Sequence, residues 1–348
     1  MKYQRKDSDK ARMTDMFEES SEKPPSDKPS VQAPSWPVCF VTVKNCDASA
    51  WSHTRFALVI TSSPIMSSRM LKSIRNHPTL SSIIGMTSFA AASLLLTACN
   101  QDSEWKSIYN GENLEGFDTH LGKSLGEEWA EVTEAATLDS VFSVVEMDGD
   151  RVIRISGEIN GSLATQEAFE NYHLRLVFKW GDNVYSKRNS GLLYHSFGEF
   201  GEAHGTWMPN IELQLMHGNL GDTYLMANTA CEIPAVKNPE SKQWIYTPAT
   251  ERTHFGQHAN GRLIRKMQDA EKPLGEWNVV DLYCFGTTAV HVVNGVPVMA
   301  NYETATHQDG ALKPLTSGKI QVQSEGAELF IKSMEIKPIA SIPPEVLD

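Results

Sequence analysis

The chain has 348 residues, of which 41% are apolar, and this is the composition of a globular protein with one large domain or two ordinary ones. A charged fraction of 21% with 9% aromatic residues excludes a chain that is disordered throughout. The net charge of −12 argues against nucleic-acid binding, because proteins of that class need a basic surface that releases counterions. The acidic excess lies beyond residue 98, so the body of the chain differs in charge from its leader.

The sequence from Met70 to Cys99 has the three parts of an export signal. Lys72 and Arg75 form a basic front, and an uncharged apolar stretch follows over residues 83–96. That stretch is shorter than the roughly 20 apolar residues of a membrane-spanning helix. The quartet LTAC that ends at Cys99 resembles the bacterial lipobox, whose cysteine is lipidated and becomes the first mature residue. We therefore expect a signal peptide over residues 70–98 and a membrane anchor through lipid on Cys99.

The segments around this signal complete the expected organisation. Residues 1–69 are polar and rich in Ser and Pro around residues 18–30, and a signal must stand at the N-terminus to be used. We expect translation to start at Met66 or Met70; the alternative is a cytoplasmic tail that leaves the apolar stretch as an anchor. Asn100 favours the outer membrane by resemblance to diderm lipoproteins, so the predicted location is the cell envelope, facing the periplasm or the cell surface. The rest of the chain is expected to form a tether over residues 99–103, a domain over residues 104–338 and a tail over residues 339–348.

The exported body shows the alternation of apolar and polar residues that is typical of β-strands. Asn294 and Gly295 form a two-residue hairpin signal. Residues 161–169 could hold a short helical turn at most, and residues 229–262 look like a long loop region. Cys231 and Cys284 are either disulfide-bonded or two free thiols. The pattern predicts an all-β sandwich or jelly roll of two antiparallel sheets, with strands over residues 152–155, 172–180, 191–195, 211–216, 277–285, 289–293, 319–323 and 329–336.

Strand parity predicts a polar face opposite the core, because successive side chains point to opposite sides of a sheet. Glu, Gln and His side chains suit sugar hydroxyls, which need paired donors and acceptors, and tryptophan can stack on a sugar ring. A solvated outer face is the alternative explanation of the same pattern. Parity places on this face Arg175, Lys179, Glu212, Gln214, His291, Gln321, Gln323 and Glu325, with His195 at a strand end and Trp207 in a loop.

Seven motifs in order resemble the 3-keto-disaccharide hydrolase family over about residues 104–338. They are WKSIYNGENLEGF at 105–117, NSGLLYH at 189–195, IELQL at 211–215, GDTY at 221–224, GEWN at 275–278, HVVNG at 291–295 and SGKIQVQSEGAE at 317–328. The resemblance implies a concanavalin A-like jelly roll that acts on glycosides oxidised to a ketone at carbon three. Some members of the family are described as lyases or hydratases, so the implied cleavage is hydrolytic or eliminative.

The implied chemistry gives the candidate residues their roles. A ketone at carbon three acidifies the hydrogen at carbon two, so the site needs a base, an oxyanion stabiliser and an acid for the leaving group. We expect Glu212, His195, Lys179 and Glu325 to be catalytic, with one face of the sheet carrying Lys179, His195, Glu212, Gln214 and Gln323 together. The expected substrate-binding residues are Gln214, Gln323, Arg175, Trp207, His291 and Tyr224. A divalent metal held by His195 and Glu212 could polarise the ketone, and no nucleotide cofactor is expected.

Two alternatives from other classes remain open at this stage. The first is a conventional two-carboxylate glycosidase that uses Glu212 with Asp222 or Glu325 as its second acid. The second is a non-catalytic carbohydrate-binding lipoprotein at the cell surface.

Overall fold

The computed structural model describes residues 104–347. The leader, the signal peptide and Cys99 lie outside the described residues, as does Asp348. The strands are β1 Lys106–Ser107, β2 Phe117–Leu121, β3 Phe142–Met147, β4 Asp150–Ile155, β5 Gly161–Thr165, β6 Phe169–Glu170, β7 Tyr172–Asn189, β8 Gly191–Ser196, β9 Ile211–Gln214, β10 Thr223–Leu225, β11 Thr229–Lys237, β12 Trp244–Tyr246, β13 Arg252–Gly256, β14 Leu263–Arg265, β15 Asn278–Phe285, β16 Thr288–Val293, β17 Val296–Gln308, β18 Ala311–Pro314 and β19 Ser317–Pro338.

Helical structure is confined to short segments between β2 and β3 and after β19. Two α-helices span Ala130–Ala135 and Leu138–Val141, and two 3-10 helices span Glu127–Trp129 and Pro344–Val346. Within residues 104–347, no helix has both the length and the apolar character that crossing a membrane requires.

The sheet that matters for the site is called the front sheet here. Its strands pair in the order β2, β5, β19, β8, β9, β10 and β14, and every one of these pairings is antiparallel. Only the first part of β19 belongs to it, from Ser317 to about Ser324. Leu193 on β8, Glu212 on β9 and Tyr224 on β10 lie in one cross-strand row.

The second sheet, called the back sheet, takes the remainder of β19. Its strands pair in the order β3, β4, β19, β7, β15, β16 and β17, again antiparallel throughout. The pairing of β19 with β7 is irregular at Glu325, Gly326 and Ala327, where the strand leaves the front sheet. Bulges of this kind are common next to active sites because they redirect side chains.

The hydrophobic core fills the space between the two sheets. The front sheet contributes Leu163, Leu192, Leu213 and Val322 to this core. The back sheet contributes the facing residues Leu174, Leu176, Phe178, Val280, Leu282, Leu329 and Ile331. The predicted all-β sandwich of two antiparallel sheets is therefore confirmed. The Asn294–Gly295 hairpin is confirmed too: both residues have positive φ, and Val293 pairs with Val296.

Residues 161–169 and 229–262 are more regular than the sequence pattern indicates. Residues 161–169 hold no helical turn: β5 occupies Gly161–Thr165 and lies fully buried between β2 and β19, where pairing on both edges overrides weak local preference. Residues 229–262 do not form a long loop, because β11 pairs with both β12 and β13 there despite the prolines. Cys231 and Cys284 are free and buried, which decides between the two alternatives for these thiols.

Candidate active site

The outer face of the front sheet, away from the core, carries the densest group of buried polar side chains that the sequence singled out. On β9, Ile211 and Leu213 are fully buried in the core, so Glu212 and Gln214 lie on the outer face. On β19, Ile320 and Val322 enter the core, so Gln321 and Gln323 lie on the same outer face. The register joins the two strands through β8, because Leu193 pairs with both Glu212 and Gln321.

Glu212 and Gln323 converge over Gly191, the first residue of β8. A Cβ atom at Gly191 would overlap the Oε1 atoms of both side chains. The backbone of Gly191 is not in the left-handed region, so the need for glycine here is a need for space. A glycine inside a strand is typical of a place where another group approaches the backbone closely.

The amide of Gln323 is the most unusual group on this face. The side chain is 1% exposed, and neither its Oε1 nor its Nε2 atom has a hydrogen-bond partner among the described residues. A buried amide without partners costs free energy of folding, so such groups are rare in folded proteins and are often found where a ligand binds. Glu212 beside it is 2% exposed. The pair and Gly191, called the recess here, form a buried polar cluster that a hydroxylated ligand could complete.

Two interacting carboxyls give the recess its acid–base character. Burial, and then the charges of Glu325 and Asp222, raise the pKa of Glu212 well above its ordinary value, while Lys187 opposes the shift. Burial raises the pKa of Glu325 to about 7, against the effects of Lys187 and of a hydrogen bond from Asn189. Carboxyls tuned in this way are suited to proton transfer at neutral pH. Asp222 is committed elsewhere, since it accepts from Arg265 Nη1 at 2.7 Å and from the backbone N–H of Lys266 at 2.8 Å.

Three residues of this site were missed by reasoning from the sequence: Lys187, Asn189 and Gly191. Asn189 is buried, and its Oδ1 atom has no partner within the part of the chain that the structure describes. Asn189 and Gly191 are two positions apart, so strand parity could have placed both beside Glu212. Lys187 could not be found in this way, because it lies in the irregular end of β7.

The neighbouring predicted residues on this face have structural partners. Gln214 Oε1 accepts from the N–H of Met216 at 2.9 Å. Trp207 is buried and donates through Nε1 to the carbonyl of Gly161 at 2.8 Å, so its ring covers the sheet rather than offering a free stacking surface. It packs with Leu193 in a small apolar cluster that Tyr224 borders. Tyr224, the cross-strand partner of Glu212, is partly exposed and available at the edge of the recess.

The predicted positions of the basic side chains Lys179 and Arg175 are wrong. Lys179 and Arg175 lie on β7 in the back sheet, where parity places them opposite the core as predicted but on the other side of the sandwich from Glu212. Arg175 Nε donates to Asp281 at 2.8 Å. Lys179 Nζ lies 3.6 Å from Asp148 Oδ2 and 4.7 Å from the centre of the Trp277 ring. Strand parity shows which side chains share a face of the strand, but it does not show to which sheet the strand belongs.

Both predicted histidines are buried on the core side, so their expected positions are wrong as well. His195 has a positive φ of 52°, and the register of β8 shifts beside it, so its ring lies next to Tyr194 and Tyr172 instead of Glu212. Burial lowers its pKa to about 3. His291 contacts the Gly221 carbonyl at 3.1 Å and the Tyr194 hydroxyl at 3.2 Å, which satisfies both ring nitrogens in the core.

The residues present do not fit the predicted metal site. His195 lies on the core side of the front sheet, whereas Glu212 lies on its outer face. Among the described residues, no histidine on that outer face is in contact with Glu212. No group of three or more His, Cys, Asp or Glu side chains within residues 104–347 could hold a metal ion. We therefore assign no chemistry at this site to a metal.

The fold and the recess together define a β-sandwich with a buried carboxyl and a buried amide on the outer face of one sheet. The chain belongs to the family of 3-keto-alpha-glucoside-1,2-lyase-like domains, which it matches over residues 104–337. No curated protein sequence matches the chain.

Several solved structures resemble this chain. A glycosyl hydrolase candidate from Parabacteroides distasonis ATCC 8503 is 19% identical, with 68% of this chain and 100% of the other covered at a TM-score of 0.38. A protein of unknown function with a galectin-like fold from Bacillus subtilis is 10% identical, with 67% and 98% covered at a TM-score of 0.35. The carbohydrate-binding module CBM66 from Bacillus subtilis is 7% identical, with 64% and 95% covered at a TM-score of 0.34.

Proposed function

We propose that the protein cleaves the glycosidic bond of 3-keto-glycosides by elimination across carbons one and two, followed by addition of water. The observation that supports this most directly is the recess over Gly191, where a buried carboxyl and a buried, unpartnered amide converge beside a second carboxyl. Membership of a family named for a 1,2-lyase activity on 3-keto-glucosides supports the same chemistry.

The two glutamates divide the proton transfers between them. The charge of Glu325 raises the pKa of Glu212, so near neutral pH Glu212 is the carboxyl that keeps a proton. Lys187 and Asn189 favour the ionised form of Glu325, which takes the hydrogen from carbon two. Glu212 is the more difficult of the two to ionise, so it keeps its proton and donates it to the departing glycosidic oxygen.

Gln323 stabilises the intermediate between these transfers. The electron pair left at carbon two shifts into an enediolate, whose negative charge develops on the oxygen at carbon three. Gln323 Nε2 has no other partner among the described residues, so it is free to donate to this oxygen. Donors held in place for a developing oxyanion are among the largest contributors to enzymatic rate enhancement. Expulsion of the oxygen from carbon one gives the unsaturated ketone, and water then adds to carbon one while carbon two regains a proton.

Turnover in deuterated water separates this mechanism from its alternatives. We expect cleavage of a 3-keto disaccharide but not of the unoxidised disaccharide, and we expect solvent deuterium at carbon two of the product. Free 3-keto product incubated without enzyme corrects for spontaneous exchange. Cleavage of the unoxidised sugar without deuterium would indicate a two-carboxylate glycosidase. Binding without cleavage of either sugar would indicate a carbohydrate-binding protein.

We also propose that Cys99 carries a lipid that anchors this domain to the cell envelope. The proposal rests on the order of basic front, apolar stretch and lipobox in the sequence. Mass spectrometry of the protein isolated from its native membrane is expected to give a first mature residue Cys99 with acyl chains attached. Recovery of peptides from residues 1–69, or of an unmodified Cys99, would contradict it.

A further inference from the structure

The first of two tryptophans on the outer face of the back sheet lies between two basic side chains. The centre of the Trp105 ring is 5.2 Å from the Arg175 guanidinium and 4.9 Å from Lys337 Nζ. Leu174 and Ile336, one position away on β7 and β19, are buried in the core, so Arg175 and Lys337 lie on the outer face. A cation within about 6 Å of an aromatic ring is attracted to its face, so these contacts hold the ring beside the sheet.

The second tryptophan, Trp277, repeats this arrangement further along the same face. Its ring centre is 4.7 Å from Lys179 Nζ and 5.7 Å from Lys332 Nζ. Lys179 and Arg175 are four residues apart on β7, which is a distance of about 13 Å along a strand. The two clusters therefore share one surface, which is called the tryptophan–cation face here. It consists of Trp105, Arg175, Lys179, Trp277, Lys332 and Lys337.

The charge of the tryptophan–cation face differs from that of the body as a whole. The acidic excess of the chain lies beyond residue 98, but here the four cations stand beside four carboxylates, so the charges balance. These carboxylates are Asp148, Asp150, Asp281 and Glu335. An anionic surface repels a balanced face less than it repels the acidic remainder, so such a surface favours the orientation in which it meets this face.

Trp105 also stands next to the point where the body joins the proposed anchor. Cys99 precedes it by six residues, and an extended chain spans at most about 3.6 Å per residue, so Cys99 lies within about 22 Å of Trp105. A lipid on Cys99 therefore holds the bilayer surface close to the tryptophan–cation face. Tryptophan is enriched at the membrane–water interface, and lysine extends its charged end to the headgroups from an apolar stem.

We propose that the tryptophan–cation face is the surface that contacts the phospholipid headgroups of the membrane to which the chain is anchored. The proposal rests on the proposed lipid on Cys99 and not on the proposed reaction. A tether of six residues gives the face an effective concentration in about the millimolar range, so weak contacts are sufficient to orient the body. The recess over Gly191 lies on the outer face of the opposite sheet, so in this orientation it faces away from the bilayer.

Quenching of tryptophan emission by brominated phospholipids measures this orientation. The native lipidated chain is reconstituted into vesicles of phosphatidylethanolamine and phosphatidylglycerol whose acyl chains carry bromine near the headgroup. We expect partial quenching in the wild type and loss of most of it in the double variant Trp105→Phe/Trp277→Phe. Trp244→Phe is the matched control, because its ring centre also lies 5.7 Å from a lysine, Lys237, but on β12, which pairs with β14 of the front sheet. This control should leave the quenching unchanged.

A second variant keeps both tryptophans, so its result does not depend on how their replacement affects folding. Lys332→Glu/Lys337→Glu reverses two charges at an exposed and a half-buried position, and we expect the fold to be retained while quenching at the phosphatidylglycerol vesicles falls. Melting temperatures of all variants check the folding. Equal quenching in the wild type and in both double variants, or no quenching of wild type bound to the vesicles, would overturn the proposed orientation.

Mass spectrometry of the same preparation separates this test from the test of the anchor. A chain without lipid on Cys99 would overturn the proposed anchor. The same comparison of variants, with the unlipidated chain added to the vesicles, would then decide about the tryptophan–cation face, because the proposed contacts do not involve the acyl chains on Cys99. Turnover is not measured here, so failure of the proposed reaction would not change the result.

Discussion

Replacement of Glu212 by Gln is expected to lower the turnover of a 3-keto glycoside by on the order of 10²-fold or more, which is the usual contribution of a general acid or base. Gln keeps the size of Glu and can still donate a hydrogen bond, but it carries no transferable proton. The measurement is kcat on a 3-keto disaccharide together with the melting temperature of the variant. Glu335→Gln, a partly buried strand residue of the back sheet, is the matched control and should retain full activity.

The same variant should also change how stability depends on pH. A carboxyl whose pKa is raised in the folded state stabilises the fold below its ordinary pKa of 4.5, and this stabilisation is lost as the pH rises through the folded value. The wild type should therefore lose stability as the pH rises above about 4.5. Glu212→Gln should show a smaller loss and melt a few degrees higher than the wild type at pH 8. A variant with wild-type turnover and the wild-type pH dependence would remove Glu212 from the mechanism.

Replacement of Gln323 by Leu is expected to reduce kcat by roughly 10²- to 10³-fold, the usual cost of losing one oxyanion donor. Leu is of similar size and fills the same space over Gly191. Because the wild-type amide lacks partners within residues 104–347, its removal should leave the melting temperature unchanged or raise it. Loss of activity with preserved or increased stability is the result that distinguishes a functional group from a structural one.

Gln321 provides the matched control for this experiment, since it lies two residues away on the same face of the same strand. Its Oε1 atom accepts from Ser162 at 2.8 Å and from the N–H of Met208 at 3.3 Å, and its Nε2 atom donates to Ser196 at 2.7 Å. Gln321→Leu should therefore destabilise the fold by about 1–3 kcal/mol, because it leaves these buried groups without partners. If Gln323→Leu destabilises the protein to the same extent, Gln323 is structural and the proposed oxyanion donor is wrong.

The alternation of apolar residues was sufficient to predict the sandwich and the face on which Glu212, Gln214, Gln321 and Gln323 lie. These four side chains are in regular segments of β9 and β19, where the period of two is preserved. His195 was misplaced because the strand is irregular at that residue and a shift of one position reverses the face of a side chain. Sequence alone contains no direct signal for a bulge at a histidine.

Lys179 and His291 show two further limits of strand parity. Lys179 is on the predicted side of β7, but the pairing of β7 with β15 and β19 places that side on the outer face of the back sheet. His291 was expected to face outward because parity puts Val290 and Val292 in the core. The pairing of β16 with β17 shifts between His291 and Val292, and hydrogen bonds with Tyr194 and Asn301 satisfy the buried ring. Both errors concern long-range pairing, which a single sequence does not specify.

We propose that the reaction takes place over Gly191 on the outer face of the front sheet. A crystal structure of the Glu212→Gln variant with a 3-keto disaccharide tests it most directly, because this variant should bind the substrate without cleaving it. We predict that the oxidised ring lies over Gly191, with its carbon-three oxygen within 3.2 Å of Gln323 Nε2 and its carbon-two atom facing Glu325. A sugar bound on the outer face of the back sheet, near Arg175 and Lys179, would contradict the account.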